Sequence, residues 1–233
     1  MKKDKNKKEP SLYIIGTPIG NLNDTSFRVI DTLQKIDTLY CEDTRITKKL
    51  LSHFDIHDIS LVRADIYRSE KVLEDLIYRL NNGESCGLVV DAGTPGISDP
   101  GGRIVGMIRE RMSHIPVISV PGPSAITTAI SISGFVVDEF VFLGFPPHKK
   151  GRKKFFEDMR KYEDITTVIY ESPHRLLKTL FALLELFPYR RVAICRELTK
   201  IHEGVVIGTV KDVYERYDNG SEIIRGEFVV ILE

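Results

Sequence analysis

Net charge is the first thing this sequence lacks. Lys+Arg and Asp+Glu both number 33, so the formal charge at neutral pH is zero. That excludes a protein that holds nucleic acid by bulk positive charge and leaves only local charge patterns to do so. Cysteine is also scarce. The three residues Cys41, Cys86 and Cys195 are too few and too scattered for a disulfide framework and point to a reducing compartment. No apolar run approaches the roughly 18 residues of a membrane span. The basic opening MKKDKNKKEP has no apolar stretch behind it, so no secretory signal is expected. There is no G-x-S-x-G elbow, H-E-x-x-H helix, phosphate loop or dinucleotide fingerprint. His53 and His57, with Asp55 and Asp58 nearby, would suit a metal only on a helix. The stretch reads as a loop, and no metal site is expected. A soluble, cytoplasmic protein follows as the expectation.

What is present is ordinary for a globular chain: 233 residues, 42% hydrophobic and 28% charged. That length allows one to two domains and a sizeable core. The first ten residues hold five lysines against two acids, a charge of 5 − 2 = +3, and read as a disordered, solvated tail.

From Ser11 onward, short apolar runs alternate with amphipathic segments. Strands are expected at Leu12–Ile15, Thr38–Cys41, Gly87–Val90, Val117–Val120, Phe140–Leu143, Thr166–Tyr170, Arg191–Cys195, Gly204–Val210 and Glu227–Leu232. Helices are expected near Thr25–Lys35, with Phe27, Ile30, Leu33 and Gln34 on one face, and over Val72–Leu80, stopped by Asn81-Asn82-Gly83. Further helices are expected at Ile104–Met112, Pro123–Ser131, Arg152–Tyr162, Pro173–Leu186 and Lys211–Tyr217. This alternation means α/β with largely parallel sheets, the strand-rich ending making the second sheet mixed. The Pro/Gly cluster at 121–123 predicts domains over 11–120 and 121–233.

Six loops follow predicted strands, where ligands bind in open α/β sheets. Gly16–Leu22 is either a tight strand-to-helix turn or a place where backbone meets ligand closely. Asp91–Gly102 carries four glycines and two prolines, more than a plain turn needs. There Asp91 can accept hydrogen bonds from a ligand, while Asp99 can bind a ligand or cap the next helix. Pro121–Ala125 suits a structural turn. Gly144–Pro147 precedes a basic run, Lys149, Lys150, Arg152, Lys153 and Lys154, which is either a solvated face or a phosphate contact. Tyr170–Arg175 and Arg196–Glu203 crowd charged groups onto short loops, as surface ion pairs or as site residues.

In order, GTPIGNL, CEDTR, DAGTPGISDPG, PGPSA, GFPP, ESPHR and RELTK resemble the tetrapyrrole-methylase superfamily. Within it they are similar to the branch that methylates a cytidine 2′-oxygen in the decoding region of 16S rRNA. The resemblance spans about Leu12 to Glu233. It implies a two-domain α/β methyltransferase with mixed and parallel sheets, a homodimer, binding S-adenosylmethionine (SAM) in a cleft between domains. It matches Gly16, Thr17, Pro18, Asp91, Ala92, Gly93, Thr94, Pro95, Ser98, Asp99, Ser124, Ala125, Tyr170 and Ser172 to the cofactor. Glu171 and Glu197 become candidate proton acceptors, with Glu203 behind them. Lys149, Lys150, Arg152, Lys153, Lys154, Arg175, Arg196 and Lys200 become candidate RNA contacts, within the small ribosomal subunit and with no membrane involved. Glu42, Asp43 and Arg45 match a motif without an assigned role.

Two departures bear on this. The family's RELTK-x-x-E-E reads Lys200-Ile201-His202-Glu203-Gly204 here, so the second acid has no counterpart. Many members continue into a C-terminal extension past the position of Glu233, so RNA affinity is expected from the lysine tail and the 149–154 run. Two other readings stand beside it: another methyltransferase of the superfamily, acting on a tetrapyrrole carbon or a protein residue, and a non-catalytic SAM-binding or ribosome-assembly factor, which would bind subunits without needing SAM.

Overall fold

A computed structural model describes residues 9–64, 70–99 and 101–233. The tail expected at 1–10 therefore lies mostly outside the described residues, as does Pro100 of the glycine-rich loop. The chain divides into two compact units, Met1–Ser124 and Ala125–Glu233.

In the first unit, β1 (Leu12–Ile15), β2 (Thr38–Cys41), β3 (Ser60–Arg63), β4 (Cys86–Leu88) and β5 (Val117–Val120) form one parallel sheet in the order β3-β2-β4-β1-β5. Its inner strands β2 and β4 are buried throughout, which is why they read as continuous apolar runs. Alternate residues serve opposite cores. Leu12, Tyr40 and Leu88 pack with α3 (Glu70–Asn81) and α4 (Gly101–Arg111). Ile15, Leu39 and Cys41 pack with α1 (Phe27–Leu33) and α2 (Thr44–His53).

Two expectations need correction here. α1 buries Val29, Thr32 and Leu33, and Phe27 is 89% exposed. Ser26 caps the helix by accepting from the Val29 amide at 3.2 Å. Phe27 then falls about 200° around the helix from Val29, on the solvent side. Two elements not anticipated are α2, whose last residue is His53, and β3, an edge strand whose residues are exposed or half-buried. Strand β4 begins one residue early and ends at Leu88, although Val89 still donates to the Tyr40 carbonyl at 2.9 Å.

The second unit begins with α5 (Ala125–Ser133) and holds β6 (Phe140–Phe142), α6 (Arg152–Asp158), β7 (Thr166–Glu171), α7 (Leu176–Leu186), β8 (Arg191–Arg196), β9 (Gly204–Thr209), α8 (Val210–Asp218) and β10 (Phe228–Leu232). A 3-10 turn over Met159–Tyr162 completes the helical stretch expected from Arg152. The sheet runs β6-β7-β10-β8-β9, parallel only between β6 and β7, and is mixed as expected. Registers place Ile169, Val230, Ile194 and Val206 in one row across four strands. The row is buried under α6, α7 and α8. Each such side chain contributes about 1.5–3 kcal/mol through burial. The opposite face meets α5, where the Cys195 thiol reaches the Ala129 carbonyl at 3.8 Å. All three cysteines are buried and free. Burial pushes the Cys195 thiol up to about 12, so it is an inert core group.

Candidate functional site

In the first unit the chain leaves β1 toward β2 and leaves β4 toward β5, in opposite directions. Strand order reverses between them, and ligands bind at such points beyond the carboxyl ends. The loops that leave there are tied together. The Thr17 amide donates to the Gly93 carbonyl at 2.9 Å, and the Gly93 amide returns a bond to Thr17 at 3.1 Å. The buried Thr17 hydroxyl donates to the Val90 carbonyl at 3.1 Å. Thr94 Oγ1 donates to the Pro123 carbonyl at 3.2 Å, joining the third loop.

Two glycines make the joint possible. A Cβ on Gly122 would lie 2.6 Å from the carbonyl carbon and oxygen of Gly16, and one on Gly16 would lie 2.6 Å from the Gly122 amide. Backbone on backbone cannot yield, so only glycine fits at either position.

Asp99 does not cap a helix through its first turn alone. Its carboxylate accepts from the amides of Gly96, Ile97 and Gly101 at 2.7–3.0 Å and so organises its own loop. Beside it Ser98 sits at φ +59°, a conformation costly for a non-glycine residue and concentrated at functional sites. Asp91 Oδ1 accepts from the Asp43 amide at 3.0 Å, which brings the CEDTR segment to this place. Asp43 pairs with Arg45 at 2.5 Å, and that guanidinium holds its carboxyl well below the usual range. Partial burial and the neighbouring Asp91 carboxylate push Glu42 upward. Pro18, Ala92 and Pro95 complete these loops, and Ser124 precedes α5.

The second unit holds a different arrangement, around Glu171 at the end of β7. Its side chain is fully buried. Oε1 accepts from the Ser172 amide at 2.8 Å and pairs with Arg175 Nη2 at 2.8 Å. Oε2 accepts from Thr179 Oγ1 and faces Arg152 Nη2 at 3.5 Å. The two guanidiniums reach on to the turn before the basic run. Arg175 donates to the Pro146 carbonyl at 2.7 Å and Arg152 to the Pro147 carbonyl at 3.2 Å. Arg175 Nε also donates to Ser172 Oγ at 3.1 Å. Arg152 and Arg175, expected at an RNA surface, are therefore internal, with side chains 16% and 13% exposed. Lys149, Lys150, Lys153 and Lys154 are exposed, as a solvated or phosphate-facing run requires.

The RELTK loop is strained. Glu197 and Thr199 sit at φ +51° and +65°. Glu197 Oε1 accepts from Lys200 Nζ at 2.8 Å and from the Glu227 amide at 3.0 Å. Lys200 also pairs with Glu227 at 2.5 Å. A Cβ on Gly226 would collide with the Glu197 carboxyl group, at 2.3 Å. Glu203, weighed as a third acid, accepts from the Thr199 amide at 2.6 Å and closes the loop. The sequence signal for the Gly226–Glu227 return is the glycine just before the last apolar run.

Burial raises the Glu197 carboxyl, but Lys200, the Glu227 amide and Arg196 outweigh it and hold it below the ordinary value. A folded-state value below the unfolded one contributes stability that is complete above the unfolded value. That stability disappears as pH falls through the folded one. Melting midpoints measured from pH 7 down to pH 3 should therefore fall less steeply for Glu197→Gln than for the native chain. Parallel curves would contradict this.

The tetrapyrrole (corrin/porphyrin) methylase family model matches residues 11–214. A "Ribosomal RNA small subunit methyltransferase I" of Halalkalibacterium halodurans is 42% identical over 224 residues, covering 96% of this chain and 75% of its own. Proteins of the same name from Hydrogenobaculum sp. and Thermotoga maritima are 39% and 38% identical. They cover 95% of this chain and 94% and 97% of their own lengths. Among solved structures, the methyltransferase CobJ is similar with TM-score 0.69 at 16% identity, covering 96% of this chain and 93% of its own. The uroporphyrin-III C-methyltransferase of Thermus thermophilus is similar with TM-score 0.63 at 17% identity, covering 95% and 93%.

Proposed function

The chain belongs to the tetrapyrrole (corrin/porphyrin) methylase family, and from that premise we propose that it methylates ribosomal RNA. The finer reading is transfer of a methyl group from SAM to the 2′-oxygen of a cytidine in the decoding region of 16S rRNA. The substrate is the small ribosomal subunit, the setting is the cytoplasm, and the working assembly is a homodimer. The observation that carries this reading is identity of 38–42% across nearly the whole chain to proteins named for methylating small-subunit rRNA. The tetrapyrrole methyltransferases are similar at only 16–17% identity and support the fold alone.

The loops of the first unit fit the methyl donor. Carboxylates at Glu42 and Asp91 complement a ligand carrying a sulfonium and an ammonium, while Arg45 holds Asp43, and the close packing of Gly16 on Gly122 gathers the strand-end loops. When bound, SAM supplies an electrophilic methyl group for in-line displacement. The chain's share is alignment and removal of the hydroxyl proton, worth about 10²–10⁴ in rate for a positioned acceptor. Glu171 does not suit that task, because both oxygens already meet donors. It is a positioning residue. Glu197 keeps a partly exposed, ionised carboxylate and remains the acceptor candidate. Of the cations named from sequence, the exposed lysines and Arg196 remain for phosphate, while Lys200 holds Glu197 and Glu227.

The experiment uses SAM with a labelled methyl group and small subunits from cells lacking the protein. Label mapped to one cytidine 2′-oxygen is expected. Binding of SAM without label on subunits would overturn the rRNA reading and leave the family intact. Label at saturating SAM should fall at least a hundredfold in Glu197→Ala if that carboxylate accepts the proton.

A further inference from the structure

Phe145 stands out among the aromatic residues. The residue is 51% exposed although the backbone on both sides is held. Before it, the Leu143 amide donates to Val168 and the Gly144 carbonyl accepts from Tyr170, both at 3.0 Å. After it, the Pro146 and Pro147 carbonyls take the two arginines of the Glu171 cluster. Gly144 turns the chain at φ +68°. The ring is backed by others: Phe145 and Tyr170 centroids lie 5.3 Å apart at 58°, and Tyr170 and Phe142 lie 4.8 Å apart at 65°. Within nine residues follow the exposed Lys149, Lys150, Lys153 and Lys154.

A rigidly presented aromatic ring in water is costly unless something covers it, and a neighbouring line of cations selects what that is. We propose that Phe145 is a stacking platform for an unpaired RNA base, with the lysine run holding the adjacent phosphates. This deepens the rRNA reading and rests on it. Unstacked bases on aromatic rings are the usual mode of single-stranded RNA recognition, and every base has a face to offer. The internal arginines give the platform its rigidity, so the Glu171 cluster and the exposed run work as frame and contact surface.

The test uses Phe145→Ala, Phe145→Leu and Phe145→Trp in the full chain. The chain contains no tryptophan, so Phe145→Trp carries a single indole reporter. Half exposure means that none of the three should disturb folding. The Ala and Leu variants are expected to weaken binding of small subunits, and of a short unpaired RNA oligonucleotide, about ten- to hundredfold. SAM affinity should not change. Phe145→Trp should bind near the native level, and its emission should be quenched when RNA is added without SAM. Native binding by the Leu variant, or unchanged Trp emission with RNA bound, overturns the platform. Loss of self-association in the Ala variant with RNA binding intact also overturns it, in favour of a protein contact. RNA binding that depends on Phe145, in a chain that labels no subunits, supports the platform while the transfer reading fails.

Discussion

Glu171→Ala is expected to destabilise the second unit by about 3–5 kcal/mol, because removing one member of a buried ion pair leaves the other charge uncompensated. Here two guanidiniums would be stranded, with side chains only 16% and 13% exposed. Thr179 Oγ1 and the Ser172 amide would also lose their acceptor. Glu171→Gln keeps the shape and one accepting oxygen, so it should cost less than Glu171→Ala while still weakening both arginines. Denaturant unfolding followed by circular dichroism measures the difference. An Ala variant within about 1 kcal/mol of the native chain would show that the cluster does not stabilise the unit. RNA affinity adds a readout that mere packing would not move. If the cluster fixes the turn before the lysine run, a folded Gln variant should bind subunits more weakly while binding SAM normally.

The second large effect is expected at the glycine pair of the first unit. Gly122→Ala places a Cβ 2.6 Å from the carbonyl carbon and oxygen of Gly16. Forcing extra atoms into a packed place costs about 1–3 kcal/mol. The greater loss should be in donor binding, since the strand-end loops would be pushed apart at the proposed donor site. SAM affinity measured by titration calorimetry should fall at least tenfold. Gly102→Ala is the matched control. It lies in the first turn of α4, and a Cβ there would meet nothing within 4 Å. It should leave SAM binding alone and shift stability by under about 1 kcal/mol. Native SAM affinity in a folded Gly122→Ala would move the donor site away from these loops.

Much of this architecture was legible before any coordinates. Buried strands announce themselves as apolar runs, and the runs at 12–15, 38–41, 117–120 and 166–171 are strands within a residue of expectation. The parallel and mixed character of the two sheets followed from the same alternation. What failed to show were elements whose signal is weak by nature. β3 is short, lies at an edge and is partly exposed, so it has little apolar pattern to read. α2 carries Arg45, Lys48 and Lys49 among its ten residues, and its buried Thr47, Leu50 and Leu51 form a narrow stripe. The face of α1 depended on where Ser26 caps it, a detail of one hydrogen bond.

The site was legible as loops and much less so as chemistry. That Thr17 and Gly93 lie together is a long-range pairing that no spacing along the chain predicts. Charge in sequence says nothing about depth. Arg152 sits inside a run of lysines and reads as one of them, yet its guanidinium turns inward to Thr179 at 2.7 Å and its ring neighbour is Phe156. Glu171 reads as an exposed acid on a charged loop. Its burial is decided by Arg175, four residues on across the turn before α7, and by Arg152, which is distant in sequence.

The position of β10 bears on how the protein is made. It is the last strand in chain order and yet the middle strand of its sheet, flanked by β7 and β8 and antiparallel to both. During synthesis those two neighbours emerge with no partner between them and wait for it. The first unit, by contrast, is complete after Ser124, and at about 5–20 residues per second it precedes β10 by several seconds. Its parallel sheet can close in that interval. The second unit has two apolar strand edges open only in the last part of that interval, between Arg196 and Phe228, the stretch of its life in which a chaperone has most to protect.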